Sequence, residues 1–345
     1  MNFGKKIIKI EKEKILIQNF IGNLVHNTCF FKQTEAQTRG ETKIFLRRKE
    51  KGKVRFNHFD LLKMIKAVDY KRGSLISGNR GYFLKGPGLL LNLSLLRYGL
   101  DFLSKKKFIS LQTPFFMNSG LLKKCSQLED FNEQLYSVGE GGEKYLIATS
   151  EQPISAFHTN EKITKNKLPL KYSGFSTCFR KESGSHGKDS AGIFRVHQFE
   201  KIEQFILTDS KGTESWALFE ELLGNTQEFY SSLKIPYICV DIPSGAINNS
   251  ASRKIDLLGW FPSSGSYKEL VSCSNCTDFQ SKRMNIELFP ASEKFNRKFV
   301  HMLNSTLCAT TRVICCILEN NQTNLGIKIP DVIRSYVGLS FFPFN

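Results

Sequence analysis

Apolar residues along the chain alternate between two spacings. From Leu89 to Leu103 the positions Leu89, Leu93, Leu96, Leu100 and Leu103 recur every three or four residues and predict one face of a helix. Phe108–Thr113 alternates and stops at Pro114, which has no ladder donor, so it predicts a strand. Tyr145–Thr149 predicts a second strand, and Ser150-Glu-Gln-Pro153 after it predicts a helix start. Tyr172–Phe179 and Ile193–Ile206 read as the two strands of one hairpin. The polar loop between them, Ser183–Gly192, carries three glycines with His186, Lys188 and Asp189. Trp216–Leu233 has helical spacing, Glu269–Ser272 closes a strand, and Thr306–Leu318, apolar nearly all round, predicts a buried helix. Hairpin-joined strands with helices segregated around them predict an α+β fold on an antiparallel sheet.

The second hairpin strand carries unusual charge. A period of two puts Arg195, His197, Phe199, Lys201, Glu203 and Phe205 on one face, while Phe194, Val196, Gln198, Glu200, Ile202, Gln204 and Ile206 form the other, itself half apolar. Both faces are then covered, and a covered ionisable group needs a partner, either within the protein or on a ligand. Arg312, surrounded by core residues from Cys308 to Leu318, raises the same demand; Glu319 and Asp256 are its candidate internal partners. Cys273-Ser-Asn-Cys276 supplies only two ligands of a zinc site and reads as two buried small hydrophobes on a strand-to-loop turn. The chain carries no phosphate-cradling glycine loop, no dinucleotide fingerprint and no HExxH helix.

Charge adds a partner class to this picture. Across 345 residues, 49 Lys+Arg stand against 32 Asp+Glu, a net +17, and residues 1–72 alone hold 18 against 7. Compositional drift, visible in the 29 phenylalanines, would spread more evenly; a basic segment points to a polyanion, nucleic acid first. The 41% apolar and 23% charged balance is that of a globular chain, and no apolar run approaches the ~18 residues of a membrane span. Nine cysteines, odd in number and thinly spread, fit a reducing compartment. The opening residues, with Glu11 and Glu13 among the lysines, do not read as a secretory signal, so the expectation is cytoplasmic.

Six ordered motifs resemble those of class II aminoacyl-tRNA synthetases, specifically the eukaryotic seryl-tRNA synthetase family. Motif 2 is matched by Phe179-Arg-Lys-Glu-Ser-Gly-Ser-His-Gly-Lys-Asp189 with Phe194-Arg-Val-His-Gln-Phe-Glu-Lys-Ile-Glu203. Tyr145–Pro153, Glu269–Asp278 and His301–Thr306 agree; Cys308–Glu319 with Arg312 matches motif 3, and the Leu89 helix with the strand ending at Pro114 matches motif 1. The resemblance spans roughly residues 73–345, which divides the chain into a basic lead-in, 1–72, and a catalytic domain, 73–345.

The resemblance implies an antiparallel sheet flanked by helices, a homodimer formed through motif 1, and activation of L-serine by ATP with Mg²⁺ before transfer to the 3′ end of tRNA(Ser). It places Arg180 on the serine carboxylate and the α-phosphate, Phe199 on adenine, Glu182 at the adenine amino group and Arg312 near the γ-phosphate. Lys181, Val196, His197, Gln198, Leu270 and Val271 would line the nucleotide, and Glu269 and Ser272 would hold the metal through oxygen. Thr149, Ser150, Glu151, Arg180, Glu203, Asn304 and Thr306 would form the serine pocket. Leu258-Gly259 stands where such proteins usually have Glu-Ala, and no heptad run for their N-terminal coiled-coil arm occurs in residues 1–75. The expectation is therefore a serine–tRNA ligase without that arm; the alternatives are a paralogue that loads a carrier protein and a non-catalytic binding module.

Overall fold

The alternating segments pair into one eight-stranded sheet. The computed structural model describes residues 21–29, 43–44, 56–125, 134–182, 192–289 and 297–345. Its strands are β1 (Lys43–Ile44), β2 (Ile109–Gln112), β3 (Leu170–Phe179), β4 (Gln198–Thr208), β5 (Tyr237–Asp241), β6 (Arg253–Phe261), β7 (Ser266–Asn275) and β8 (His301–Ala309), in the order β1-β5-β6-β7-β8-β4-β3-β2. Every neighbouring pair is antiparallel except β2 with β3. The hairpin of β3 and β4 is present, but its second strand begins at Gln198 rather than Ile193. The last rung is Arg180 N–H to the His197 carbonyl at 2.9 Å. Beyond it, Ile193, Phe194 and Val196 turn into the main core. The loop expected over 183–192 lies, apart from Gly192, outside the described residues, as does most of the basic stretch 39–55.

Helices cover both faces of the sheet. They are α1 (His58–Met64), α2 (Tyr70–Ser77), α3 (Pro87–Lys105), α4 (Ser119–Cys125), α5 (Glu151–Ser155), α6 (Glu214–Ser232), α7 (Phe279–Met284) and α8 (Thr310–Asn321). Asn57 caps α1 by accepting from the Asp60 N–H at 3.0 Å, and Pro87 starts α3 where a missing N–H costs nothing. α3, α6 and α8 enclose the main core, to which α1 adds Leu61 and Leu62. A second core lies under α4, α5 and α7 and takes Phe205, Leu207 and Met302 from the sheet. Gln204, on the α6 side, donates to the Leu222 carbonyl (3.3 Å) and to Thr226 Oγ1 (3.1 Å), and accepts from Asn225 (3.0 Å). Both faces of β4 are covered, as the alternation implied.

Two expectations change. Of the expected stripe on α3, Leu96 and Leu103 are buried and Leu100 packs against the main core, but Leu91, Leu95, Gly99 and Phe102 complete the inner face while Leu89, Leu90 and Leu93 are exposed. The glycines explain the rotation: a Cβ on Gly88 would run into the Ala67 carbonyl, and one on Gly99 would lie 2.7 Å from Ile202 Cδ1. The bare sides of both residues must therefore face inward. The helix expected over Thr306–Leu318 starts only at Thr310, because Thr306–Ala309 completes β8.

A buried acid ties the end of α8 to the start of α1. Glu319 is 1% exposed; its Oε1 accepts from the His58 N–H (3.1 Å) and Nδ1 (2.8 Å), and its Oε2 from the Ser263 N–H (3.0 Å). Burial pushes the carboxyl up, but His58 and Ser263 hold it below the usual range. A depressed carboxylate stabilises the fold above its unfolded pKa, and that contribution fades as pH falls through the folded value. Glu319→Gln should lower the free energy of unfolding by about 3 kcal/mol at pH 7. In urea titrations at several pH values, the gap between wild type and variant should close below about pH 4, on the carboxylate reference scale.

Candidate active site

The cleft lies on the sheet face opposite α6, and strand register decides which side chains enter it. Glu203 pairs with Thr306 on β8 and with Gly174 on β3, so the three share a face with Lys201, two residues earlier. Gly174 has no substitute there. A Cβ would collide with Ile154 and lie 2.9 Å from Ser150 Oγ, so only glycine lets the start of α5 settle on the sheet. Ser150 is fully buried and donates to the Gly174 carbonyl at 3.3 Å. It therefore supports the pocket from below, without lining it.

Glu203, 2% exposed, is satisfied by cations and hydroxyls. Lys201 Nζ pairs with its Oε2, Thr149 Oγ1 lies 3.4 Å from Oε2, and Thr306 Oγ1 lies 3.3 and 3.4 Å from its two oxygens. Glu151 faces the same space. Its Oε1 accepts from Gln280 Nε2 (3.0 Å) and Asn304 Nδ2 (3.1 Å), and burial, reinforced by Glu203, pushes the carboxyl up to about 7. Thr149, Glu151, Glu203, Asn304 and Thr306 are thus brought together. Gln280, at the start of α7, joins them without having been singled out. Lys201 joins them too: strand alternation set it on the face of Glu203, but no site role followed from that alone.

A second group forms around the hairpin mouth. The Arg180 guanidinium lies 5.3 Å from the centre of the Phe199 ring, and Arg180 Nε donates to the Ala148 carbonyl at 3.4 Å. His197 Nδ1 meets the Arg180 carbonyl at 3.0 Å. Glu182, held in a left-handed conformation (φ 52°), accepts from Arg195 Nη1 at 2.7 Å. The Lys181 N–H donates to the Gln134 carbonyl at 2.9 Å, and the Gln198 carbonyl accepts from Tyr82. Val196, Leu270 and Val271 turn their side chains into the main core, leaving only main chain for the cleft.

Arg312 and Glu269 close the far wall. Arg312 Nη1 donates to the Glu269 carbonyl (3.1 Å) and Oε1 (3.2 Å), while its guanidinium sits 5.1 Å from the centre of the Phe194 ring. The internal partners considered for Arg312 are engaged elsewhere: Glu319 with His58, and Asp256 with Lys254 Nζ at 3.3 Å. Glu269 and Ser272 are three apart and would sit on opposite faces of a regular strand. A bulge at Leu270 restores them to one face: Ser272 pairs with Asp256 and Glu269 with Leu258. Leu258 thus sets an apolar side chain opposite Glu269. Burial raises Glu269, but Arg312, then Lys254 and Arg180, hold its carboxyl below the usual range. Asp256 is raised by burial, and its Oδ1 has no hydrogen-bond partner among the described residues. Cys273 and Cys276 are both fully buried, and Asn304 Nδ2 reaches Cys276 Sγ at 3.5 Å.

The lead-in also reaches this site. Asn23 Nδ2 donates to the carbonyls of Ser250 (2.9 Å) and Cys276 (2.8 Å) and to Thr277 Oγ1 (3.0 Å), pinning the turn that leads to Gln280. Nothing in the local sequence around Asn23 signals that contact.

Comparison with known proteins agrees with this geometry. Residues 136–321 match the model of the tRNA synthetase class II core domain (G, H, P, S and T). The cytoplasmic serine–tRNA ligase of Dictyostelium discoideum is 52% identical over 331 residues, covering 94% of this chain and 71% of the relative. The cytoplasmic serine–tRNA ligase of Naegleria fowleri, solved with AMP, superposes with a TM-score of 0.92 at 46% identity, covering 99% of this chain and 81% of the other. Seryl-tRNA synthetase of Pyrococcus horikoshii, solved with ATP, gives 0.90 at 33% identity over 99% and 80%.

Glu151 burdens the fold in a measurable way. A carboxyl raised in the folded state favours folding below its unfolded pKa, and that advantage is lost as pH rises through the folded value, here about 7. Thermal melts of Glu151→Gln should therefore gain on wild type between pH 5 and pH 8. An unchanged difference across that range would mean that Glu151 ionises freely.

Proposed function

The chain belongs to the serine–tRNA ligase family of class II aminoacyl-tRNA synthetases, and on that premise we propose how its residues share the work of an ATP-dependent aminoacyl-tRNA ligase. The reaction joins L-serine to ATP as seryl-adenylate and then passes serine to the 3′ end of tRNA(Ser). The serine carboxylate is itself the nucleophile: its oxygen attacks the α-phosphorus and pyrophosphate leaves. The protein therefore needs alignment and charge neutralisation, not a strong base. Arg180, near the Phe199 ring, would hold both the carboxylate and the α-phosphate, with adenine on the Phe199 ring. Arg312, whose Nη1 hydrogen-bonds Glu269, would turn to the outer phosphates. Glu182 and the main chain around Lys181, His197 and Gln198 would frame the base; Val196, Leu270 and Val271 would contribute backbone only.

The observation that carries the reading is the pocket floor. Glu151 and Glu203 are two acids in one small space, which suits a substrate ammonium, and Thr149, Asn304 and Thr306 add the polar contacts that a short hydroxylated side chain needs. Glu269 and Ser272 present oxygens on one face, and Asp256, beside Ser272 on β6, keeps one oxygen without a hydrogen-bond partner among the described residues, so this oxygen set fits Mg²⁺. When bound, the ion would neutralise phosphate charge. The exposed Leu89, Leu90 and Leu93 on α3, the motif 1 helix, support a homodimer formed through that face. Relatives named cytoplasmic support a cytoplasmic setting, and among the described residues no helix is long and apolar enough to cross a membrane.

Arg312→Ala should cut serine-dependent ATP–pyrophosphate exchange by roughly 10²–10³ while leaving the urea midpoint nearly unchanged. Unfolding without a specific loss of ATP use would make Arg312 structural. Leu93→Glu should convert a dimer to a monomer in sedimentation equilibrium; an unchanged mass would move the dimer contact elsewhere.

A further inference from the structure

Lys201 is a buried cation on the pocket floor. Its side chain is 7% exposed; the ammonium pairs with Glu203 Oε2 and donates to Thr149 Oγ1 at 2.8 Å. The same Oγ1 accepts from the Glu151 N–H at 3.2 Å. A hydroxyl oxygen has two lone pairs, so both are occupied and the Thr149 proton must point to another acceptor. Glu203 Oε2 is that acceptor. The strand makes room for this arrangement: Lys201 lies between Ser176 on β3 and Ala309 on β8, both small, so its stem can run along the sheet toward Glu203.

We propose that Lys201 is a specificity-determining positioning residue, a built-in cation that fixes Glu203 as an acceptor-only carboxylate and Thr149 as a donor, so that the subsite takes an amino acid whose side chain donates a hydrogen bond and rejects one of similar size that cannot. The inference rests on the serine-pocket reading above and deepens it. A buried ion pair adds little to stability compared with apolar groups of the same shape, so its presence here calls for another reason. Discrimination supplies one. A site built to bond a hydroxyl rejects the analogue without it only if its own groups stay fixed and are left unpaired. Without the ammonium, Glu203 loses the cation that fixes it and Thr149 regains a free lone pair. The pocket can then re-form around an alanine-sized ligand at little cost.

The test is ATP–pyrophosphate exchange with serine and with alanine in wild type, Lys201→Met, Glu203→Gln and the double variant. Lys201→Met keeps the stem and loses the charge. It should raise the serine KM at least tenfold, leave the ATP KM within twofold, and lower the serine-over-alanine ratio of kcat/KM at least tenfold. An unchanged ratio, with or without lost stability, would make Lys201 a purely structural partner and overturn the proposal. Should Lys201→Met not fold, the comparison of Glu203→Gln with the double variant decides. Lys201 acts through the carboxylate, so the two ratios should agree within threefold; a further tenfold fall in the double variant would overturn the proposal. Wild-type protein showing no preference for serine would instead defeat the pocket reading itself, separately from the role of Lys201.

Discussion

Glu203 has almost no access to water, and the pocket is organised around that fact. A buried carboxylate must be paired or take up a proton. The sheet meets that demand from three directions, with Lys201 two residues before it, Thr306 directly across the ladder, and Thr149 from the turn above β3. Each contact in turn sets a local requirement. Thr149 can reach inward only because Gly174 leaves room for the start of α5, and Thr306 stands opposite Glu203 only because β8 runs on to Ala309 before turning into a helix. The neighbouring acid, Glu151, has no ion pair among the described residues and is raised by burial and by Glu203. One acid paired with a cation beside one that is not makes a pocket suited to a cationic ligand.

The same balance of satisfied and unsatisfied groups runs along the rest of the cleft. Arg312 pairs with Glu269, Asp256 keeps an oxygen without a partner among the described residues, and Glu182 accepts a left-handed backbone to meet Arg195. The last two are local costs of the kind that concentrates at binding sites. On the opposite face the balance is mixed, since Tyr230 Oη and Asn92 Oδ1 have no partner among the described residues. Gln204 there is matched by Asn225 and Thr226.

What the sequence disclosed divides along physical lines. Strand alternation revealed that both faces of β4 are covered, and the ordered motifs carried the family and the main site residues. Three things were hidden. A helix apolar on more than one side, like α3, does not say which stripe is inner until close approaches at Gly88 and Gly99 fix its rotation. Thr306–Ala309 is buried throughout, and a short buried run reads equally as strand or helix. Asn23 lies 253 residues from the carbonyl of Cys276 that it holds, and no local pattern encodes a contact at that separation. The lead-in, taken from its charge as a phosphate-contacting segment, is also part of the pocket's foundation.

The bulge at Leu270 gives β7 a fixed count as well as a composition. Ser272 and Glu269 share a face only because one residue between them has no partner on β6. Shortening the strand by that residue would restore perfect pairing and rotate Glu269 away from Arg312, even though every cleft side chain would still be encoded. The skipped Leu307 puts β8 in the same position, between Thr306 and the helix that carries Arg312. These strands can therefore drift in residue identity far more freely than in length. A single codon gained or lost here acts as a frameshift in three dimensions, leaving the protein foldable but its cleft out of phase.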